Sequence, residues 1–133
     1  KPEQVIILAA LGGRLDHTLG NIALLSDLRL STLRHAQGGA FDFRLDDGIE
    51  EVFFCHGKCE INGASGDLVS LIPWHGEVTG VLTTNLKWPL RDEVLYPHKT
   101  RGISNEMLGD KAAVQIKSGS LLVVHRRINL VVE

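Results

Sequence analysis

The sequence predicts an α+β protein in which a strand, a glycine turn and a helix precede a series of short antiparallel strands. The first 39 residues contain one continuous apolar run followed by apolar residues at helical spacing. From residue 40 onward, short alternating segments are separated by clusters of turn residues. We therefore expect residues 1–39 to be part of an α/β domain, and residues 40–133 to form an antiparallel β-sandwich or jelly-roll-like domain.

The apolar run at residues 5–10 is short, begins with β-branched residues and ends at Gly12-Gly13. Such a run is typical of a strand that is buried on both faces of a parallel sheet. Because one parallel strand cannot form a sheet alone, we expect its partners to come from elsewhere. Asp16 is placed to cap a helix. The apolar residues of that helix predict one buried face: Leu15, Leu19, Ile22, Leu25 and Leu28.

The rest of the chain predicts short strands with turns between them. The expected strands are residues 40–45, 49–55, 59–61, 68–73, 78–84, 113–117 and 121–125. The turn clusters that separate them are Asp46-Asp47-Gly48, residues 62–67, His75-Gly76 and residues 117–120. Residues 90–110 are less regular and contain Pro97, Gly102 and Gly109, so we expect a long loop of the kind that often carries function.

The composition excludes several classes of protein. The 133 residues are 44% apolar and 23% charged with a net charge of −2, which argues against nucleic acid as the main partner. No stretch approaches the ~20 apolar residues of a membrane helix, and the first residues do not resemble a signal peptide. We expect a reducing, cytoplasmic location, because two cysteines are too few for a disulfide scaffold. The chain lacks an initiator Met, so we expect a fragment or a processed product.

The two cysteines, Cys55 and Cys59, flank a short polar segment whose length predicts a tight turn with the thiols facing each other. A zinc site would need two further ligands, for which His56 and His75 are the near candidates. The favoured interpretation is a pair of small, half-buried thiols at the end of a hairpin.

The first segment suited to ligand chemistry is residues 12–21, just past the predicted strand, where ligands of open α/β sheets collect. Arg14 is a planar donor for phosphate, and the Asp16 carboxylate can hold Mg²⁺. His17 can hydrogen-bond a substrate. Taken singly, the three residues have ordinary interpretations as an ion-pair partner, a helix cap and a helix-start residue. Their proximity behind two glycines favours a functional role.

Two further candidate segments lie in the strand-rich part of the chain. Trp88 precedes a proline, so its backbone is extended and its ring can offer a flat face to a planar ligand. The alternative is a tryptophan that seals the end of the sandwich. Ser104 and Asn105 supply a hydroxyl and an amide that can read the edge of a heteroaromatic ring. The alternative there is a capped turn.

Five blocks in this order resemble the thiamine pyrophosphokinase family: GGRLDHTLGNIALL, LVSLIPW, TTNLKWPL, RGISNE and SGSLLVV. The resemblance extends over nearly the whole chain. It implies an α/β catalytic domain followed by a β-sandwich, and a homodimer. It also implies transfer of pyrophosphate from ATP, with Mg²⁺, to the hydroxyethyl oxygen of thiamine, which gives thiamine diphosphate and AMP.

The resemblance implies catalytic roles for three residues of the glycine-turn segment. Asp16 matches the aspartate of the family's R-x-D-H/Q motif, which lies beside the metal and the substrate, and Arg14 and His17 belong to the same motif. The family's other acidic segment, which supplies most metal-binding aspartates, would precede residue 1. We therefore expect this chain to be inactive by itself.

The resemblance also implies a thiamine pocket shared between two subunits. Trp88 matches the tryptophan that packs on thiamine from the partner subunit, and Ser104 and Asn105 match the Ser-Asn pair of the pocket. One departure is Asn85, which stands where the family usually has glycine and can alter the local backbone.

Two other functions remain open at the level of the sequence. A pyrophosphokinase of similar architecture that acts on a pterin alcohol would share the R-x-D-H block, although the L-K-W and S-N blocks favour thiamine. A non-catalytic ligand-binding or dimerisation module is the second alternative.

Overall fold

The computed structural model describes residues 3–8, 13–27, 33, 38 and 41–129. The chain divides into two compact units, Lys1–Phe54 and Cys55–Glu133. The described elements up to the boundary are β1 (Glu3–Leu8), α1 (Leu15–Leu25), β2 (Phe41–Asp46) and β3 (Glu50–Cys55). The second unit contains β4 (Lys58–Asn62), β5 (Leu68–Thr84), β6 (Glu93–Leu95), β7 (Asn105–Glu106), β8 (Lys111–Gln115) and β9 (Ser118–Arg126).

The sheet of the first unit is mixed. β1 and β2 run parallel, with Val5 opposite Phe43, and β2 pairs antiparallel with β3, with Leu45 opposite Val52. One partner of the first strand is therefore the strand that follows α1, which the sequence had assigned to the sandwich. This pairing explains why the first compact unit extends to residue 54. The proposed domain division after residue 39 stays a prediction.

The turn between β2 and β3 is confirmed, and its cause is local. The Asp46 carboxylate accepts a hydrogen bond from the Gly48 N–H at 2.9 Å, and Asp47 accepts those of Ile49 and Glu50 at 2.9 and 2.7 Å. Gly48 has φ of +90°, which residues with a Cβ rarely adopt. Short acidic side chains followed by glycine are thus sufficient to reverse the chain here.

The helix differs from the prediction in its cap and in its burial. The N-cap residue is Arg14, whose side chain makes no capping hydrogen bond, and Asp16 lies in the first turn. Ile22 and Leu25 are buried, whereas Leu15 is 71% exposed; Leu28 is outside the described residues. The apolar spacing thus predicted which side of the helix is apolar, and burial is confirmed only in its second half.

The strand β1 is not buried on both faces among the described residues. Within the described ranges β1 pairs with β2 alone, and the side chains of Ile6, Ile7 and Leu8 are exposed. A strand is buried on both faces only where other elements cover both faces of its sheet, and the described residues do not cover β1 in this way. The last part of the predicted strand, residues 9–10, and the first turn glycine lie outside the described residues.

A buried guanidinium supports the β2–β3 pair. Arg44 contacts Asp42 at 3.0 Å and Glu51 at 2.7 Å, and it lies 3.7 Å from the centre of the Phe53 ring. Burial by itself lowers the pKa of Arg44, but the hydrogen bonds and charges of the two carboxylates outweigh it and raise the pKa. The side chain is therefore a permanent cation paired inside this unit.

The second unit is built around β5. This strand pairs antiparallel with β9 and with β8, and β8 pairs in turn with β4. Apolar side chains that alternate along these strands form the core, and fully buried examples are Val69, Leu71, Val81, Val114, Leu121 and Val123. The structure is thus made mostly of strands, as the sequence predicted for this region.

The prediction of a chain reversal at His75-Gly76 is wrong. β5 continues through both residues, although they have φ of +67° and +137°. The register of β5 against β9 shifts between Trp74 and Thr79. The two left-handed residues therefore produce an irregularity of the bulge type inside one long strand, because β9 provides hydrogen-bond partners on both sides of it.

The predicted loop at residues 90–110 contains two short strands. β6 pairs with β5 through Val78 and Leu95, and β7 pairs with β5 through Leu68 and Glu106. Strands of two or three residues have no visible periodicity, so the sequence could not show them. Among the described residues, no helix has the length and apolar character needed to cross a membrane.

Candidate functional site

The side chain of Asn105 holds the backbone of Trp88 through two hydrogen bonds, and both are predicted binding residues. The Trp88 N–H donates to Oδ1 of Asn105 at 3.0 Å, and Nδ2 of Asn105 donates to the Trp88 carbonyl at 2.8 Å. The same Oδ1 accepts the N–H of Glu106 at 2.9 Å. Asn105 is only 5% exposed. Its amide therefore fixes the backbone at Trp88, and contact between Asn105 and a ligand stays a prediction.

The indole of Trp88 is not part of the core. It is 47% exposed, whereas its neighbours Leu86 and Leu90 are buried. Leu86 bridges to Met107, and the backbone of Leu90 exchanges hydrogen bonds with Thr83. The apolar neighbours anchor the segment and leave the aromatic ring at the surface, so Trp88 does not fill the core of the second unit.

A cation lies against the exposed indole. The Lys87 ammonium is 4.8 Å from the centre of the Trp88 ring and 3.8 Å from a carboxylate oxygen of Glu106. Both charged side chains are solvent-accessible, so the pair contributes little to stability. We call Lys87, Trp88, Ser104, Asn105 and Glu106 the Trp88 platform.

Ser104 joins the platform through strained backbone. It has φ of +60°, and its N–H donates to the hydroxyl of Ser70 on β5 at 3.0 Å. Two residues earlier, Gly102 accepts the N–H of Leu71 at 2.8 Å, and a Cβ on Gly102 would lie 2.5 Å from the Leu71 carbonyl oxygen. This close approach requires glycine and fixes the Ser104 segment against β5.

Asn85 lies at the start of the platform segment with φ of +62°. Its side chain donates to the Lys111 carbonyl at 3.2 Å, and its carbonyl accepts the N–H of Leu108 at 3.0 Å. Asparagine tolerates the left-handed region better than most residues do. The departure from glycine therefore leaves the local turn possible.

Substitution of Asn85 should separate backbone strain from the side-chain hydrogen bond. Asn85→Ala and Asn85→Gly both lose the bond to Lys111, but only alanine keeps a Cβ in the left-handed region. We expect the alanine variant to be less stable than the glycine variant by about 1 kcal/mol. Urea unfolding of the two variants measures this difference, and equal stabilities would contradict it.

The second unit also contains a buried acid–histidine pair. His125 Nε2 and a carboxylate oxygen of Asp67 are 2.7 Å apart, and both side chains are almost completely buried. Burial raises the pKa of Asp67, but hydrogen bonds from His125, Ala64 and Ile128 outweigh it and lower the pKa overall. The Asp67 carbonyl accepts the Met107 N–H at 2.8 Å, which ties the pair to the residue after β7.

Neither residue of this pair stands out in the sequence. The two residues are 58 positions apart, and neither lies in a recognisable spacing pattern. In the sequence, Asp67 is only the last residue of a turn cluster. In the structure its carboxylate is buried.

The predicted catalytic residues belong to the first unit and are exposed. A guanidinium nitrogen of Arg14 lies 2.6 Å from Asp16, and these side chains are 70% and 60% exposed. The other oxygen of Asp16 accepts the His17 N–H at 2.9 Å. The geometry thus shows Asp16 as an ion-pair partner at the start of α1.

The residues that the structure describes do not by themselves form a metal site. They contain no group of three or more His, Cys, Asp or Glu side chains close enough to share an ion. Mg²⁺ is commonly held by one or two carboxylates together with substrate phosphates and water. Asp16 fits as one such carboxylate, provided that it releases Arg14. Asp16 as a metal ligand therefore remains a prediction.

An apolar cleft of about 340 Å³ lies in the first unit, between α1 and the sheet. Its lining includes Ile7, Leu24 and Phe43. The helical residues that line it come from the second half of α1, away from Asp16 at the start. The cleft therefore does not contain the predicted catalytic residues.

Residues 58–123 match the family described as thiamin pyrophosphokinase, vitamin B1 binding domain. The chain belongs to the thiamin pyrophosphokinase family. The matched range contains Trp88, Ser104 and Asn105, so the platform lies inside the family's vitamin B1 binding domain. Arg14, Asp16 and His17 lie outside the matched range.

Solved structures of thiamin pyrophosphokinases have the same fold. The enzyme from Bacillus subtilis is 24% identical with a TM-score of 0.79, over 96% of this chain and 57% of that one. The enzyme from Geobacillus thermodenitrificans is 21% identical with a TM-score of 0.75, over 95% and 55% of the two chains. The Candida albicans enzyme is 16% identical with a TM-score of 0.74, over 96% and 45%.

These comparisons establish the family and the fold of this chain. The chain spans about half the length of the structures that it matches. Among curated proteins, none has a matching sequence. The resemblance read from the five sequence blocks is confirmed at the level of the family. The interpretation of the first unit as part of an α/β catalytic domain is still a prediction.

Proposed function

We propose that the protein is a thiamine pyrophosphokinase, or part of one, in which the second unit binds thiamine on the Trp88 platform. The full-length protein would transfer pyrophosphate from ATP to the hydroxyethyl oxygen of thiamine, giving thiamine diphosphate and AMP. One observation carries the proposal: a half-exposed indole stands on backbone that a buried asparagine holds by two hydrogen bonds, inside the matched vitamin B1 binding domain.

The platform is suited to a planar cation. Thiamine contains an aminopyrimidine and a positively charged thiazolium, and either ring can stack on the indole of Trp88. Such a contact contributes about 0.5–2 kcal/mol. Because the Lys87 ammonium lies over one face of the ring, like-charge repulsion favours the opposite face for the thiazolium. The Glu106 carboxylate lies near Lys87 and offsets part of its charge.

The first unit supplies the proposed catalytic residues. Arg14 would donate to phosphate oxygens of ATP, and His17 would hydrogen-bond the substrate. Asp16 would orient the thiamine hydroxyl or hold Mg²⁺. Bound Mg²⁺ would neutralise phosphate charge during the transfer. Catalysis of this type depends mainly on positioning and on stabilising charge.

The proposed assembly is a cytoplasmic homodimer with two equivalent sites. Asp16 belongs to the first unit, and Trp88 belongs to the second. A two-fold dimer can bring the first unit of one subunit to the second unit of the other, and it then does so twice. We propose that each thiamine lies across such a boundary. We also propose that turnover needs residues beyond this chain, so this chain alone would bind thiamine without forming AMP.

Trp88→Ala should weaken thiamine binding and leave ATP binding nearly unchanged, because it removes the stacking face and touches no proposed phosphate contact. We expect a loss of roughly 2- to 30-fold in thiamine affinity. Titration calorimetry of the full-length protein with each ligand measures both affinities.

Two matched variants control the Trp88 experiment. Trp88→Phe keeps an aromatic face and should retain most of the affinity. Tyr96→Ala removes another exposed aromatic residue of the same unit and should have no effect on binding. An unchanged thiamine affinity in folded Trp88→Ala would contradict the proposed platform.

A non-catalytic thiamine-binding module is the second candidate function. It is favoured by the family match, which covers the binding domain and not the predicted catalytic residues. Thiamine binding by the full-length protein without magnesium-dependent AMP formation would establish it. A pterin alcohol that replaced thiamine as acceptor in the same assay would instead support the pterin alternative.

A further inference from the structure

The two cysteines converge on one residue of β8. Cys59 in β4 is directly opposite Val114 in the β4–β8 pair. Cys55, at the end of β3, places its Sγ 3.8 Å from the carbonyl oxygen of that same Val114. The two thiols are close enough to interact, since Cys59 is the main influence on the pKa of Cys55, and neither is in a disulfide. The predicted facing of the two thiols is thus confirmed.

The backbone between the cysteines is fixed to other strands. The Gly57 carbonyl accepts the Ile116 N–H at 2.7 Å, and a ring nitrogen of His56 lies 2.9 Å from the Ser120 hydroxyl. These contacts keep the turn in place independently of the thiols. The two sulfur atoms are therefore held near each other by the fold.

The two thiols differ in accessibility. Cys55 is 1% exposed, whereas Cys59 is partly exposed. The hydrogen bond from Cys59 lowers the pKa of Cys55, and together with a backbone hydrogen bond from Gly57 it outweighs burial, which raises the pKa. A reagent can therefore reach Cys59 first, and the lowered pKa of Cys55 favours its thiolate for a second step.

We propose that Cys55 and Cys59 are a thiol-modification site that reacts with low-molecular-weight disulfides and ends in a reversible disulfide between the two residues. The proposal does not depend on the proposed function.

The reaction has two exchange steps. First, the Cys59 thiolate attacks one sulfur of the added disulfide, whose S–S bond breaks, and one small thiolate leaves and takes up a proton. Second, the Cys55 thiolate attacks Sγ of Cys59 and displaces the second small thiolate, which is also protonated. The protein loses two protons and two electrons, which is two hydrogen atoms in all, and one small disulfide is reduced to two thiols.

Intact-mass measurement of the full chain after incubation with glutathione disulfide tests the proposal. The wild-type protein should lose two hydrogens, and dithiothreitol should restore them. Cys55→Ala should accumulate a persistent adduct of one glutathione at Cys59, because the resolving thiol is gone. Cys59→Ser should react at least about tenfold more slowly than Cys55→Ala, because the remaining thiol is buried.

Other outcomes would overturn the proposal. They are an unreacted wild-type protein, a stable wild-type glutathione adduct, and a Cys59→Ser variant that reacts as fast as Cys55→Ala. Circular dichroism shows whether each variant is folded. If either variant fails to fold, the wild-type mass decides, because loss of two hydrogens without an accumulated adduct requires both thiols.

Discussion

Asp16→Asn in the full-length protein is expected to lower the rate of thiamine diphosphate formation by roughly a hundredfold or more. The substitution removes one charge from the proposed site and keeps the side-chain shape. The fold should remain intact, because Asp16 is largely exposed and its ion pair with Arg14 is worth about 1 kcal/mol or less. Formation of AMP measures turnover, and thermal unfolding checks the fold.

Glu77→Gln is the matched control, because it removes another exposed carboxylate outside the proposed site. It should retain wild-type turnover. If folded Asp16→Asn also retains wild-type turnover, Asp16 is only the ion-pair partner of Arg14 at the start of α1.

The same variant tests the proposed dimer. Subunit exchange between Asp16→Asn and Trp88→Ala should restore part of the activity, because some heterodimers carry one intact site. No recovery would indicate sites built within single chains.

Asp67→Asn is expected to lower the free energy of unfolding by about 3 kcal/mol. The carboxylate oxygens accept bonds from His125, Ala64 and Ile128 in a buried environment. Asparagine offers one acceptor oxygen and directs an N–H₂ group at a donor, so at least one of these bonds is lost. Urea unfolding measures the change. Asp110→Asn, at an exposed acid of the same unit, should shift stability by less than about 0.5 kcal/mol.

The contribution of Asp67 to the free energy of unfolding should decrease as the pH falls. Its pKa is lower in the folded protein than the ordinary value, so the folded state binds the proton less readily than the unfolded state. The associated stability is fully present above about pH 4 and is lost as the pH falls through the folded-state pKa. The difference between wild type and Asp67→Asn should therefore shrink on acidification. A difference that stays constant from about pH 5 to about pH 2 would contradict this assignment.

Substitution of Asp67 should also weaken thiamine binding at the Trp88 platform. The Asp67 carbonyl holds the Met107 N–H, and Met107 bridges to Leu86 in the segment that carries Trp88. Thiamine affinity in Asp67→Asn should therefore fall more than in Asp110→Asn. Unchanged affinity would show that the pair stabilises the unit without positioning the indole.

Local chemistry allowed several features to be predicted from the sequence alone. The turn at Asp46-Asp47-Gly48 is determined by side chains that bond to their own backbone and by one left-handed glycine. The facing of Cys55 and Cys59 follows from their short separation. The family was predicted from the order of five sequence blocks, none of which is diagnostic by itself.

Other features depend on partners that are distant in the sequence. The left-handed pair His75-Gly76 is compatible with a hairpin or with a bulge, and pairing with β9 selects the bulge. The spacing of apolar residues predicted which face of α1 is apolar. Whether Leu15 is buried depends instead on which other residues pack on that face. The hydrogen bonds between the Asn105 amide and the Trp88 backbone likewise join residues that are 17 positions apart.

The sequence by itself determined the family, the strand-rich character of residues 41–126 and the turns that are closed by their own side chains. Only the tertiary structure decided that β1 runs parallel to β2, that Asp67 meets His125, and that Trp88 lies at the surface on a buried asparagine. The physical reason is the range of the interactions. Turn and propensity energies depend on neighbouring residues, whereas burial and the pairing of polar groups depend on whatever the folded chain brings into contact.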